Sequence, residues 1–279
     1  MIEDGALRIL HLSDSHLFGD GALHYGAVDT LAALRRVLAR AEGLSALDAV
    51  VLSGDLSNDG SAQSYRLLRG LVEPWAAARG AGTVYAMGNH DDPRAFEEVL
   101  GARTGVHEIA GFRIVTLDSS VPEAGFGRLG GGQLSWLREV LAAPTQYGTV
   151  VVIHHPPVPA ETVLLRALEL QRPRDLIDAC AGSDVRLILS GHYHHPLVSA
   201  VGGIPVVVAP GIANTSDVMA PAGIERATVG AGFAFVELPR QGAARTTFVA
   251  APGSEDGMEL FSLGPDEVAR IAREAGPRS

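Results

Sequence analysis

Five times along this chain a short run of aliphatic and β-branched residues stops at a cluster of Asp, Asn or His. Leu7–Ser13 (LRILHLS) runs into Asp14-Ser15-His16, Ala49–Leu52 (AVVL) into Gly54-Asp55, and Thr83–Met87 into Gly88-Asn89-His90-Asp91. Thr149–Ile153 (TVVVI) runs into His154-His155-Pro156-Pro157, and Val185–Leu189 (VRLIL) into Gly191-His192-Tyr193-His194. Short continuous apolar runs of this kind read as strands buried on both faces. Segments of helical period lie between them: Ala27–Ala41, Ser61–Arg79, Pro93–Leu100, Gly132–Ala142 and Glu161–Cys180. Pro74 is expected to kink or break the second, and Pro173 the last. Strands alternating with helices predict a layered α/β fold with largely parallel strands. Open α/β sheets bind ligands beyond the carboxyl ends of their strands, so the five clusters are expected to converge.

The rest of the chain turns β-rich. Val106–Ala110 and Phe112–Asp118 read as a hairpin around Gly111. Leu197–Val201, Ile204–Ala209, Gly232–Leu238 and Arg245–Ala250 are expected to build a second, more antiparallel sheet packed on the first. Residues 211–231 lack a clear period and read as one long loop. Pro265–Glu274 reads as a last helix. With 279 residues, 47% of them hydrophobic and 19% charged, the chain can bury a large core, which excludes a disordered protein. Residues 1–251 are expected to form the main domain and 252–279 an extension with a short helix.

A net charge of −10 argues against a basic nucleic-acid binder, because phosphate backbones are held by Lys and Arg. The single cysteine, Cys180, excludes an internal disulfide, and its apolar helical context reads as a buried structural position. The start, Met1-Ile2-Glu3-Asp4-Gly5, is acidic where a signal peptide is basic. No apolar stretch approaches the roughly 20 residues of a membrane span. A cytoplasmic protein is expected.

The clusters carry the chemistry. Taken singly, each is an ordinary turn or helix cap; five in succession, each at a strand end, are hard to explain that way. Alternate residues of an extended chain point the same way, so Asp14 and His16 can grip one ion. Gly54 permits a sharp turn that leaves the Asp55 carboxylate at the strand tip. Nitrogen and oxygen donors without cysteine suit iron, manganese, zinc or cobalt, and not a structural zinc site. No serine or cysteine triad signature is present.

The series DSH, GD, GNHD, HH and GHYH resembles the calcineurin-like metallophosphoesterases. Within them the chain resembles the class III 3′,5′-cyclic-nucleotide phosphodiesterases of actinobacterial type. The likeness covers residues 7 to about 250 and extends to Tyr25-Gly26-Ala27-Val28-Asp29, to 68–74 (LRGLVEP) and to 117–122 (LDSSVP). The resemblance implies a four-layer α-β-β-α sandwich of two mixed β-sheets flanked by helices. It implies two metal ions per chain, with iron and manganese first among the candidates. Carried over by position, Asp14, His16 and His194 hold one ion, Asn89, His154 and His192 the other, and Asp55 bridges both. His90 is implied as the catalytic acid at the leaving oxygen. His155 is placed behind the ligands. Relatives often carry Asp three residues after the bridging Asp; here Asn58 stands there, followed by Asp59. The group orienting His90 is therefore expected to be Asp59, Asp91 or a backbone carbonyl.

The activity so implied is hydrolysis of cAMP, with cGMP as a second candidate, to the 5′-monophosphate by a metal-bridging hydroxide. Asn89, His90, Tyr193, His194 and His195 are candidate nucleotide contacts. Asn214-Thr215, His24 and Tyr25 are candidates for the pocket rim. A broader phosphodiesterase acting on glycerophosphodiesters or aryl phosphodiesters, and a non-catalytic binding scaffold, are the alternatives. Relatives also imply a homo-oligomer.

Overall fold

The computed structural model describes residues 5–44 and 46–277; the acidic start at 1–4 lies outside the described residues. In chain order the elements are β1 (Leu7–Leu12), α1 (Thr30–Arg40), β2 (Ala49–Ser53), α2 (Ala62–Ala77), β3 (Gly82–Ala86), α3 (Pro93–Val99), β4 (Gly105–Ile109) and β5 (Phe112–Leu117). Then follow β6 (Gly127–Arg128), α4 (Gly131–Leu141), β7 (Thr149–Ile153), α5 (Val163–Ala167), β8 (Leu170–Gln171), α6 (Pro173–Cys180) and β9 (Val185–Ser190). The last are β10 (Leu197–Val201), β11 (Ile204–Val208), β12 (Thr215–Ser216), β13 (Glu225–Thr228), β14 (Gly232–Leu238), β15 (Arg245–Ala250), β16 (Glu259–Leu263) and α7 (Pro265–Ala275).

Two mixed sheets face each other. The first has the order β15-β14-β1-β2-β3, with β1, β2 and β3 parallel and β14 and β15 antiparallel at one side. The second has the order β10-β11-β9-β7-β5-β4, with a parallel centre and antiparallel edge strands β10 and β4. Strand alternation divides the core. Leu10 and Leu12 of β1 and Val50 and Leu52 of β2 pack under α1, α2 and α3 through Leu34, Val37, Leu68, Val72 and Phe96. Leu7, Ile9, Val51, Ile114, Val152 and Leu189 fill the space between the sheets. Val151, Ile153 and Ile188 pack under α4 and α6 through Leu137, Leu141, Leu176 and the buried Cys180. Helices, sheet, sheet, helices: the four layers follow from strands that are apolar on both faces.

The inter-sheet layer turns polar toward the carboxyl ends of its strands. Leu7 and Ile9 give way to His11, Ala49 and Val51 to Ser53, and Phe112 and Ile114 to Thr116, all buried. His11 Nε2 lies 2.9 Å from Ser53 Oγ. Burial pushes its pKa down to about 3.

Three expectations change and one holds. The strands after residue 197 do not form a sheet of their own: β10 and β11 extend the second sheet, and β14 and β15 the first. The pattern allows this because β14 is apolar on both faces, with Phe233 and Phe235 toward the helices and Ala234 and Val236 toward the other sheet. The α2 helix runs through Pro74, which lies in its last turns, where the freed carbonyl belongs to exposed Gly70. Glu161–Cys180 is broken ahead of Pro173 as expected: α5 ends at Ala167, and Arg172 before the proline is left-handed, since a proline disfavours the helical region for the residue preceding it. Residues 211–231 are not one irregular loop, because β12 and β13 join β16 in a small third sheet. That sheet ties the 252–279 segment to the body, and the Gly125 amide also donates to the carbonyl of Ala275.

Among the described residues no helix is long and apolar enough to cross a membrane. Ile9→Ala is expected to lower unfolding free energy by roughly 2–5 kcal/mol, as a fully buried side chain between two sheets cannot be replaced by collapse; denaturant melts measure this. His11, with its native pKa below the unfolded value, keeps its contribution above pH 6.5 and loses it as pH falls toward 3. Over that window His11→Gln is expected to reduce the slope of stability against pH by about 1.4 kcal/mol per unit.

Candidate metal centre

The parallel strands β1, β2, β7 and β9 deliver their ends to one crest, and left-handed turns aim the side chains there. Asp14, His16, Asp55, His192 and His194 have φ of 55°, 42°, 50°, 70° and 52°. Such values are uncommon for residues other than glycine and concentrate where a structure holds strained functional geometry. Backbone bonds fix the turns on each other: the Asp14 amide donates to Gly54 O at 3.0 Å, His16 to Asp55 O at 2.9 Å, and Gly191 to His154 O at 3.0 Å. Gly88 has no room for a side chain, because a Cβ would overlap Asp55.

Donor atoms of Asp14, His16 and His194 lie within 4.8 Å of one another, as do those of Asp14, Asp55 and His154, of His16, Asp55 and His90, and of His154, His155 and His192. Asp55 stands at the centre. Its Oδ2 lies 3.6 Å from His16 Nε2 and 3.3 Å from His154 Nε2. His194 Nε2 lies 3.3 Å from Asp14 Oδ1. The His192 amide donates to both oxygens of Asp14, at 3.0 and 3.1 Å, and the His90 amide donates to Asp55 Oδ1 at 2.9 Å.

Each of four histidines has one nitrogen tied outward to an oxygen that can only accept. His16 Nδ1 donates to Asn58 Oδ1 at 3.1 Å and His154 Nδ1 to Ser53 O at 2.8 Å. His192 Nε2 donates to Leu168 O at 3.0 Å and His194 Nδ1 to Asn214 O at 3.3 Å. A carbonyl partner fixes the proton on one ring nitrogen and leaves a lone pair on the other, the arrangement of a metal-binding histidine. Those lone pairs face inward. His16 Nε2 and His194 Nε2 are only 3.2 Å apart. His154 Nε2 and the amide oxygen of Asn89 are buried without hydrogen-bond partners. The facing lone pairs of His16 and His194 and the orphaned Asn89 oxygen are costly unless a cation lies among them, so this donor set fits metal ions.

Charge follows the same geometry. Burial opposes a charged Asp55, but His154, His90 and His16 outweigh it and hold its carboxyl well below the usual range. Burial likewise opposes charge on His154, and Asp55 with Asp14 overrides this, lifting it to about 9. Burial, joined by neighbouring histidines, pushes His16 and His192 well down.

The remaining candidates take varied positions. His90 is exposed above the cluster, its ring in edge contact with His16 at 4.8 Å between centroids. None of its expected orienting side chains bonds its ring. Asp91 is buried and accepts from the amides of Leu56, Ser57 and Gly88 and from the Tyr65 hydroxyl. Burial and Asp55 raise its pKa to about 6. Asp59 accepts from the amides of Gly19 and Ser61, and Asn58 holds His16. His155 has both ring nitrogens occupied, by Ser119 Oγ at 2.8 Å and Gly125 O at 3.2 Å, so it backs His154 although it lies close to His192.

Tyr193 is not open to a nucleotide. It is fully buried, gives its hydroxyl to Val158 O at 2.7 Å and packs with Ala160, Leu165 and Val208. His195 is buried beside it and stacked on its ring. Left-handed φ at His192 and His194 aims those two rings into the site, while Tyr193 and His195 turn away from it. His24 is buried, and its Nε2 donates to Asn214 Oδ1 at 3.1 Å. Leu168, Ser53 and the main chain of Asn214 orient the clustered histidines, and sequence reasoning did not find these roles. A backbone carbonyl carries no residue-type signal.

The calcineurin-like phosphoesterase family model matches residues 7–196. A Rhodococcus erythropolis protein described as a probable cyclic nucleotide phosphodiesterase is 41% identical over 231 residues, covering 80% of this chain and 76% of its own. A cAMP/cGMP dual specificity phosphodiesterase of Mycobacterium tuberculosis is 41% identical over 232 residues, covering 80% and 73%. In fold, a dimetal phosphatase from Danio rerio superposes with a TM-score of 0.58 at 13% identity, covering 86% of this chain and 98% of that one. The four-layer sandwich, the strand-end donor clusters and these likenesses agree: the chain belongs to the calcineurin-like phosphoesterase family.

Proposed function

We propose that this protein is a metal-dependent phosphodiesterase that hydrolyses 3′,5′-cyclic nucleotides, cAMP and cGMP, to 5′-monophosphates. The observation that carries the metal-dependent part is the reach of one Asp55 oxygen to both His16 and His154, with the outer nitrogens of four histidines tied back. The substrate class is supported by the two relatives at 41% identity.

In this reading Asp14, His16 and His194 would hold one ion, Asn89, His154 and His192 a second, and Asp55 would serve both. When bound, the ions supply positive charge for the phosphoryl oxygens and acidify a water molecule. Iron and manganese are the first candidates for this donor set, and zinc and cobalt also suit it. Asn58, Ser53, Leu168 and Asn214 keep the ligand histidines in the tautomer that leaves the inner nitrogen free. His90, exposed beside His16, is placed to give a proton to the 3′ oxygen as its bond to phosphorus breaks and the water oxygen's bond forms. We place the protein in the cytoplasm, where the buried, unpaired Cys180 suits a reducing setting, and as a homo-oligomer, which sedimentation velocity tests.

Asp55→Ala is expected to abolish hydrolysis and to lower bound metal below two ions per chain, read by elemental analysis. His90→Ala is expected to keep both ions and lose about 10²- to 10⁴-fold in kcat; normal turnover in metal-replete His90→Ala protein would remove its assigned role. Rates on cAMP, cGMP and glycerophosphocholine separate the proposed substrate class from a broader phosphodiesterase. Absence of hydrolysis after manganese loading would favour a binding scaffold. Because His154 binds a proton up to about pH 9 in the metal-free state, metal uptake is expected to release that proton. Metal affinity should then rise with pH until about 9, as isothermal titration in two buffers would show.

A further inference from the structure

A line of aromatic rings runs outward from the candidate metal centre to the surface. His16 lies 5.0 Å from His24, His24 4.3 Å from Tyr25, and Tyr25 4.9 Å from Phe261, between ring centroids. The inner members are committed: His24 is buried and bonded to Asn214. Tyr25 is different. It is 59% exposed, the first open ring along the line.

Tyr25 is held out deliberately by its backbone. It has φ of 50° and is followed by Gly26 at φ 69°, a left-handed pair that is disfavoured for a bulky residue. The turn is closed by His24 and Val28, whose amides donate to each other's carbonyls at 2.9 and 3.0 Å. Phe261 meets Tyr25 edge to face from β16, where it pairs in register with Ala227 of β13. Phe261 lies beyond residue 196, where the family match ends. Two segments far apart in the chain therefore build one aromatic surface beside a phosphate-binding centre.

We propose that Tyr25 and Phe261 form the wall on which the nucleobase of the substrate stacks. This rests on the cyclic-nucleotide reading above. A phosphodiester held at the strand ends must send its nucleoside away from the buried ligands, and the ring line marks an outward path ending in an open π-surface. Stacking on an aromatic ring favours any base with a broad face and reads few of its edge groups, so adenine and guanine are accepted alike. The wall also gives the 252–279 extension a part in substrate binding through Phe261.

The test compares Tyr25→Ala, Phe261→Ala and Tyr25→Trp with wild type on cAMP, cGMP and methyl p-nitrophenyl phosphate, a phosphodiester with no nucleobase. The expected result is a fall of about 5- to 100-fold in the ratio of kcat/KM for either cyclic nucleotide to that for the base-free ester, carried by KM, in Tyr25→Ala. Phe261→Ala is expected to lower the ratio less, and Tyr25→Trp to keep it. The ratio does not depend on how much of a variant folds. An unchanged ratio in Tyr25→Ala, whether both activities hold or both fall together, overturns the wall while leaving the cyclic-nucleotide reading intact. Wild-type protein that cleaves the base-free ester and neither cyclic nucleotide overturns that reading, and the wall with it.

Discussion

The Asp55 carboxylate is buried at the tip of β2 with His16 on one side and His154 on the other. A charge removed from water is tolerated only where opposite charge or a full set of donors meets it. Here it meets imidazoles from β1 and β7, strands of two different sheets. The sandwich is thus joined at its crest by a polar contact, whereas the opposite end of the inter-sheet space is apolar. The gradual change along β1 from Leu7 and Ile9 to His11 fits this: the two sheets part from dry packing to polar chemistry within one strand length.

What makes the cluster a site rather than a knot of buried polar groups is the second ring of partners. Every inward nitrogen of the four central histidines is paired with an outward one bonded to an oxygen. Two of those oxygens, at Leu168 and Asn214, are main-chain carbonyls of loops outside the donor clusters. The first exists because α5 ends at Ala167, leaving the carbonyl of its cap residue Leu168 free to accept from His192. The second exists because residues 212 and 213 donate their amides to the carbonyl of Asp14, which seats Asn214 under His194.

Much of this was legible in advance. The strands that end in Asp14, Asp55, Asn89, His154 and His192 are runs too apolar to lie anywhere but between layers, and parallel strands deliver their ends to one side. The structure brings Asp14, Asp55, His154 and His192 into overlapping donor groups at one crest. Less legible was the edge composition of the sheets, since strand hydrophobicity in β10, β11, β14 and β15 says that each is buried but not against which neighbour. The nucleotide contacts expected at Tyr193 and His195 fail because both side chains are buried, Tyr193 bonded to Val158 O and His195 stacked on its ring. Asp91, next to His90 in sequence, and Asp59, next to Asn58 where relatives carry Asp, are consumed by backbone amides that only the folded loops bring near.

The sequence by itself determined the layered α/β class, the strand-end clusters of oxygen and nitrogen donors, and membership of a family whose motifs fall at those strand ends. These are local or periodic properties, written in residue type and spacing. Tertiary structure decided which sheet each late strand joined, which carbonyl orients each histidine, that His155 is spoken for by Ser119 and Gly125, and that Phe261 from the far end of the chain meets Tyr25. Those depend on contacts between segments far apart along the chain, and on backbone atoms that every residue possesses, so no single position announces them.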